Sequence, residues 1–172
     1  PIVPLSDYGL SKAIGEKYCL SYVESLGINV ISLRFVRIYG AGENPGYVLT
    51  NFIERARRKL PLIVYGSGKI LRDMLYVKDA IRAILYVVNS NVSGVFNIGT
   101  GKGVSIKELA ETVSNVFSDG ECPVEFKYEL KDEGEDFYMD IRKAQIELGF
   151  TPYYSLKEGL MDYKSELEVQ KL

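Results

Sequence analysis

The spacing of apolar positions changes several times along this 172-residue chain, and each change marks an element. The first pattern predicts a helix over 8–26, capped by Ser6 or Asp7 and ended by Gly27. Residues 28–35, INVISLRF, are β-branched and apolar and predict a buried strand. Glycines and a proline over 36–47 predict a loop. A helix follows over 48–59, and its basic end (Arg55, Arg57, Arg58, Lys59) suits the C-terminal dipole before Pro61 stops it. LIVY at 62–65 predicts a short strand before a Gly-Ser-Gly turn, and 69–75 are extended or loop-like. Asp79 is expected to cap a helix over 80–89, where Ile81, Ile84, Leu85 and Val88 recur at helical spacing. VFNI at 95–98 predicts another buried strand, followed by a glycine-containing turn over 100–104. Ser105 and Glu108 form a capping box for a helix over 106–117. VEFKY at 124–128 alternates like a half-exposed strand, and the acidic run 129–136 predicts a solvated loop. Asp140 is expected to cap a helix over 141–148 that Gly149 ends, and Ser155 opens the last helix.

Short strands separated by helices predict an α/β chain, long enough for one core or two small lobes. It opens on a helix, with no strand and no glycine-rich turn before it. A net charge of −2 gives no sign of nucleic-acid binding, and no apolar run reaches the length of a membrane span. Cys19 and Cys122 lack metal-ligand spacing, so no metal site is expected, and their free thiols suit a reducing, cytoplasmic setting. No signal peptide opens the chain, and its start at Pro1 without a methionine predicts a fragment. It contains no histidine. Serine–histidine triads and histidine bases or metal sites are therefore excluded within it, leaving proton transfer to Tyr, Lys, Asp or Glu.

The segment Tyr8-Gly9-Leu10-Ser11-Lys12 places a phenol and an ammonium four residues apart at a helix start, on one helical face. A cation held beside a phenol favours the phenolate, which makes the pair a candidate proton acceptor. The same spacing also occurs in helices where the tyrosine packs and the lysine is solvated.

The order of motifs decides between these readings. Pro4-Leu5-Ser6-Asp7-Tyr8-Gly9-Leu10-Ser11-Lys12 with Glu16 is followed by Leu33-Arg34-Phe35 and Ile38-Tyr39-Gly40. Then come Tyr65-Gly66-Ser67-Gly68 and Arg72-Asp73-Met74-Leu75-Tyr76-Val77-Lys78-Asp79. Asn97-Ile98-Gly99-Thr100-Gly101 with Ser105 and Glu108-Leu109, and Leu148-Gly149-Phe150-Thr151-Pro152 with Leu156 and Glu158-Gly159-Leu160, complete the series. In this order the chain resembles the C-terminal half of the extended short-chain dehydrogenases, in particular the NAD-dependent sugar-nucleotide epimerases and dehydratases.

The resemblance implies the C-terminal part of a Rossmann domain (residues 1–38 and 76–100) plus a small α/β substrate-binding domain (39–75 and 101–172). It implies Tyr8 as base, with Lys12 stabilising the phenolate and bonding the nicotinamide ribose, and Phe35 beside the NAD cofactor. It implies nucleotide-sugar contacts from Arg72 as diphosphate clamp, from the start of the helix at Val48, and from Tyr65 on the nucleobase side. Arg72 could instead pair with Asp73 or a helix carboxylate, and Tyr65 could be core. The reaction most like the pattern is 4-epimerisation of UDP-glucose and UDP-galactose through a 4-keto intermediate. A 4,6-dehydratase or reductase, a non-catalytic relative and a stand-alone binding module are the alternatives. The family's G-x-x-G-x-x-G turn is absent, and Gly99-Thr100-Gly101-Lys102-Gly103 is read as a strand-to-helix turn. Alone, the chain is expected to be inactive.

Two departures stand out. Arg37 occupies the family's asparagine position and either contacts phosphate or turns outward. Asp132-Glu133-Gly134-Glu135 stands where many members have R-x-G-[DE], and an aspartate there would repel a diphosphate unless Lys131 or Arg37 compensates. The first helix also resembles the family's dimer helix, implying a homodimer. Tyr18, Tyr22 and Leu26 would fill that interface or face the sheet.

Overall fold

A computed structural model describes residues 4, 6–88, 90–132 and 134–169. Leu5 of the first motif, Asn89 at a predicted helix end and Glu133 of the acidic run lie outside them. The order is α1 (Asp7–Leu26), β1 (Ile31–Phe35), β2 (Arg37–Tyr39), α2 (Val48–Arg57), β3 (Leu62–Tyr65), β4 (Leu71–Arg72), β5 (Met74–Tyr76) and α3 (Val77–Val88). There follow β6 (Gly94–Ile98), β7 (Val104–Ser105), α4 (Ile106–Ser118), β8 (Val124–Lys127), α5 (Arg142–Leu148) and α6 (Leu156–Val169).

Local chemistry sets most boundaries. Ser6 Oγ accepts from the Gly9 amide at 3.1 Å, so Ser6 rather than Asp7 caps α1. Gly27 ends that helix in the left-handed conformation, with φ of 64°. Ser105 Oγ accepts from the Glu108 amide to open α4. Glu158 and Ser155 exchange the reciprocal bonds of a capping box at α6. Asp140 accepts from the Arg142 amide one residue before the cap of α5.

Three strand pairs are parallel: β1 with β6, β2 with β5, and β3 with β8. The short β4–β7 pair is antiparallel. β1 and β2 form almost one strand that changes partner. The Val36 amide still bonds to the Ile98 carbonyl of β6 at 3.0 Å, and from Arg37 onward the partner is β5.

The described residues form two apolar clusters, and β5 contributes to both, Met74 and Tyr76 to one and Leu75 to the other. One joins Leu49, Phe52, Ile53, Leu62, Val64, Leu109, Val113 and Leu160 between α2, α4, α6 and β3. The other joins Val36, Leu75, Ala83, Phe96, Ile98, Leu148 and Phe150 around β1, β6, α3 and α5.

Several expectations are corrected. The 36–47 loop contains β2, because its backbone finds a partner far away in sequence; the 69–75 stretch is extended as expected, as β4 and the start of β5. Asp79 does not cap α3, which begins at Val77. Its fully buried carboxylate instead accepts from the Tyr153 and Tyr154 amides and from Arg82. The acidic run is not simply solvated, since Asp132 and Asp136 accept backbone amides of Gly68 and Leu71. No helix among the described residues is long and apolar enough to cross a membrane.

α1 stands on β1 through a forked ion pair. Arg34 Nε and Nη2 reach the two oxygens of Glu16 at 2.7 and 2.6 Å. That guanidinium holds the Glu16 carboxyl below the usual glutamate range. Leu10, Ile14, Tyr18 and Leu26 are left exposed, and Tyr18 and Tyr22 pair edge to face, so they do not pack on the sheet.

Candidate functional site

A cleft of about 620 Å³ opens between α2, β3 and the β4 segment. α2 contributes Val48, Asn51 and Arg55, and its C-cap residue Arg58 lies just beyond them. These positions fall on one stripe at helical spacing, while Leu49, Ile53 and Ala56 on the opposite face are buried. β3 alternates, with Leu62 and Val64 buried in the core, so Ile63 and Tyr65 face the cleft. Arg72 and Asp132 line it from the other side.

The turn after β3 is built around Asp132. Its Oδ2 accepts from the Ser67 amide at 3.1 Å and the Ser67 hydroxyl at 2.8 Å, and its Oδ1 from the Gly68 amide at 2.9 Å. These donors, the Ser67 amide foremost, hold the carboxyl below the usual aspartate range. Gly66 has φ of +67°, and a Cβ there would come within 2.6 Å of the Asp132 amide. Only glycine fits this approach. The aspartate that looked repulsive to a diphosphate thus has much of its charge taken up by its own turn.

Arg72 Nη1 donates to the Leu71 and Glu135 carbonyls at 2.9 and 2.5 Å. Asp73, expected as its alternative partner, is buried and accepts from the Thr100 amide and hydroxyl, the Gly101 amide and the Met139 amide. That carboxylate occupies the Gly99–Gly103 turn from within: a Cβ on Gly99 would meet Asp73 Oδ2 at 2.6 Å. The turn joins β6 to the two-residue β7 that precedes α4, so it is not directly the strand-to-helix turn expected, and two of its amides are already bonded to an anion.

The other sequence-derived residues lie apart from the cleft lining. Tyr8 is 73% exposed in the first turn of α1, with Lys12 Nζ 5.2 Å from its ring centroid. Phe35 ends β1 and packs against the second apolar cluster. Arg37 neither turns to solvent nor enters the cleft lining. It pairs with Glu43 and lies 3.4 Å over the ring of Tyr47, the residue that precedes α2. Val48, Tyr65 and Arg72 are therefore brought together, whereas Arg37, Phe35 and the Tyr8–Lys12 pair stand elsewhere. Sequence reasoning missed Asn51, Arg55 and Arg58 as cleft residues, although their spacing from Val48 was the available signal. It had no signal for the donors that surround Asp73 and Asp132.

The NAD dependent epimerase/dehydratase family matches residues 1–99, more than half of the chain. The chain belongs to that family. A Methanocaldococcus jannaschii protein described provisionally as a UDP-glucose 4-epimerase is 37% identical over 93% of this chain and 52% of its own length. Xenopus tropicalis UDP-glucuronic acid decarboxylase 1 is 34% identical over 99% of this chain and 42% of its own. Among solved structures, Thermotoga maritima UDP-glucose 4-epimerase with UDP-glucose superposes with a TM-score of 0.85 at 30% identity, covering 99% of this chain and 56% of that one. Further solved neighbours are described in complex with NAD. The chain thus has an α/β fold of the Rossmann-type epimerases, and it spans about half the length of the relatives it matches.

Proposed function

We propose that this chain supplies the proton-transfer pair and the nucleotide-sugar seat of an NAD-dependent sugar-nucleotide epimerase, acting on UDP-glucose and UDP-galactose at C4. The observation that carries this reading is the cleft that gathers Val48, Tyr65 and Arg72. Its chemistry suits an elongated anion: a helix N-terminus and a guanidinium for phosphate, and the Ile63 and Tyr65 side chains for a flat base. Residues 1–38 and 76–100 then form the cofactor side, and 39–75 and 101–172 the substrate side. The packing of α5 against β6 ties the two together.

Tyr8 takes the proton from the sugar hydroxyl, and Lys12, one turn away, stabilises the phenolate and bonds the nicotinamide ribose. Tyr8 and Lys12 would hold the nicotinamide ribose of NAD, which would supply the hydride acceptor and donor. The exposed phenol and its neighbouring ammonium fit the reactive end of that cofactor, with Phe35 at the adjoining strand end. The Gly99–Gly103 turn does not fit its pyrophosphate, since its Thr100 and Gly101 amides are already bonded to Asp73. The outward apolar face of α1, carrying Leu10, Ile14 and Tyr18, supports a homodimer, and the free thiols of Cys19 and Cys122 suit a cytoplasmic enzyme.

A decarboxylase or dehydratase of the same family is the second reading, favoured by the likeness to UDP-glucuronic acid decarboxylase. In the holoenzyme, Tyr8→Phe should lower turnover by roughly 10²–10⁴-fold while NAD stays bound. Wild-type turnover in that variant would remove Tyr8 from the reaction. Incubation with UDP-glucose, and separately with UDP-glucuronic acid, would distinguish epimerisation from loss of carbon dioxide.

A further inference from the structure

We propose that Arg58 reads the nucleobase of the substrate and selects bases that carry a carbonyl oxygen at the recognised edge, such as uracil, over bases that carry an amino group there. This rests on the reading of the cleft as a nucleotide-sugar site, and it names the residue that chooses the nucleotide.

The cleft runs along α2. At its start lie Gly46 and Val48, where the positive end of the helix dipole favours phosphate. Further along the same stripe stand Arg55 and Arg58, opposite Leu60 and Ile63. Side chains on a helix lean toward its N-terminus. Arg58 does so, for its Nη1 lies 3.3 Å from Glu54 Oε1, one turn back. At about 1.5 Å of rise per residue, its guanidinium sits roughly 9 Å along the axis from Val48. A nucleoside diphosphate held by its phosphates at the helix start extends its base toward this end, against the apolar wall of Ile63.

The two arginines differ in freedom. Arg55 Nε is committed to the Pro61 carbonyl. Among the described residues the Arg58 side chain pairs with Glu54, and both partners of that pair are well exposed, at 67% and 63%. An exposed pair within one helix contributes little, so Arg58 can turn to a ligand at small cost. A guanidinium has donors and no acceptor. It bonds a carbonyl oxygen, as on uracil, thymine or guanine, and it opposes the exocyclic amino group of cytosine or adenine.

UDP and CDP test this directly, because they share ribose and diphosphate and differ only along one base edge, keto at C4 with an N–H at N3 in uracil, amino at C4 with an acceptor at N3 in cytosine. Calorimetric titration of the chain should find UDP bound about tenfold more tightly than CDP, the effect of one charge-assisted bond. Arg58→Ala should weaken UDP by about the same factor and bring the ratio close to one, with inorganic pyrophosphate binding unchanged. A UDP preference that survives Arg58→Ala overturns the assignment and leaves the cleft reading standing. Equal binding of UDP and CDP by the unsubstituted chain overturns it as well. If UDP, CDP and pyrophosphate all fail to bind, the cleft reading falls and this assignment falls with it.

Discussion

The carboxylate of Asp132 accepts the backbone amide of Gly68 at 2.9 Å, across 64 residues of sequence. This bond and its two companions from Ser67 fix the turn that follows the cleft strand β3, so the shape of the cleft depends on one ionised side chain.

Acid should loosen that turn. The Asp132 carboxyl titrates below its unfolded value of about 3.9. Between the two values the unfolded chain binds more protons than the folded chain, so stability rises with pH there. The contribution is whole above about pH 4 and is lost as pH falls through the lower, folded value. Urea midpoints of the chain at pH 7, 4 and 3 should fall toward acid, and Asp132→Asn should flatten part of that fall. An unchanged acid-side slope in the variant would remove Asp132 as its source.

Asp73 is a stronger anchor, because it is buried. Asp73→Ala leaves the donors of Thr100, Gly101 and Met139 without their acceptor. The expected loss is about 3 kcal/mol or more, read from denaturant unfolding. Asp73→Asn keeps part of the acceptor capacity and should lose less.

Gly159 inverts the usual helix rule. In an exposed helix, glycine to alanine gains about 1 kcal/mol. In α6 a Cβ at this position would press on the Tyr39 ring and meet Tyr76 Cγ at 3.0 Å. Both tyrosines are almost fully buried, and Tyr76 is further fixed by its 2.6 Å bond to Asp162. Overpacking of this kind costs about 1–3 kcal/mol, so Gly159→Ala should destabilise by roughly 1–2 kcal/mol. A raised melting temperature would show that the tyrosines move aside freely.

The outward face of α1 predicts self-association. Ile14→Glu with Tyr18→Glu adds two charges to exposed positions and should leave folding intact. In the holoenzyme it should shift the mass from dimer to monomer by sedimentation. An unchanged mass would place the interface elsewhere.

Much of this protein was written in short stretches of its sequence. Ser6 and Gly27 bound α1, Ser105 opens α4, and Gly149 ends α5, because a cap bonds only within one helical turn. The same locality put Tyr8 and Lys12 on one face and gave α2 its stripe from Val48 to Arg58. Tertiary structure decided where the charges went. Asp79 reads as a cap, yet its donor at Tyr154 lies 75 residues away. Arg37 looked free for phosphate until the fold set Glu43 and Tyr47 beside it. A carboxylate or guanidinium carries no local mark of its partner. Desolvation and geometry choose that partner only once distant strands have paired.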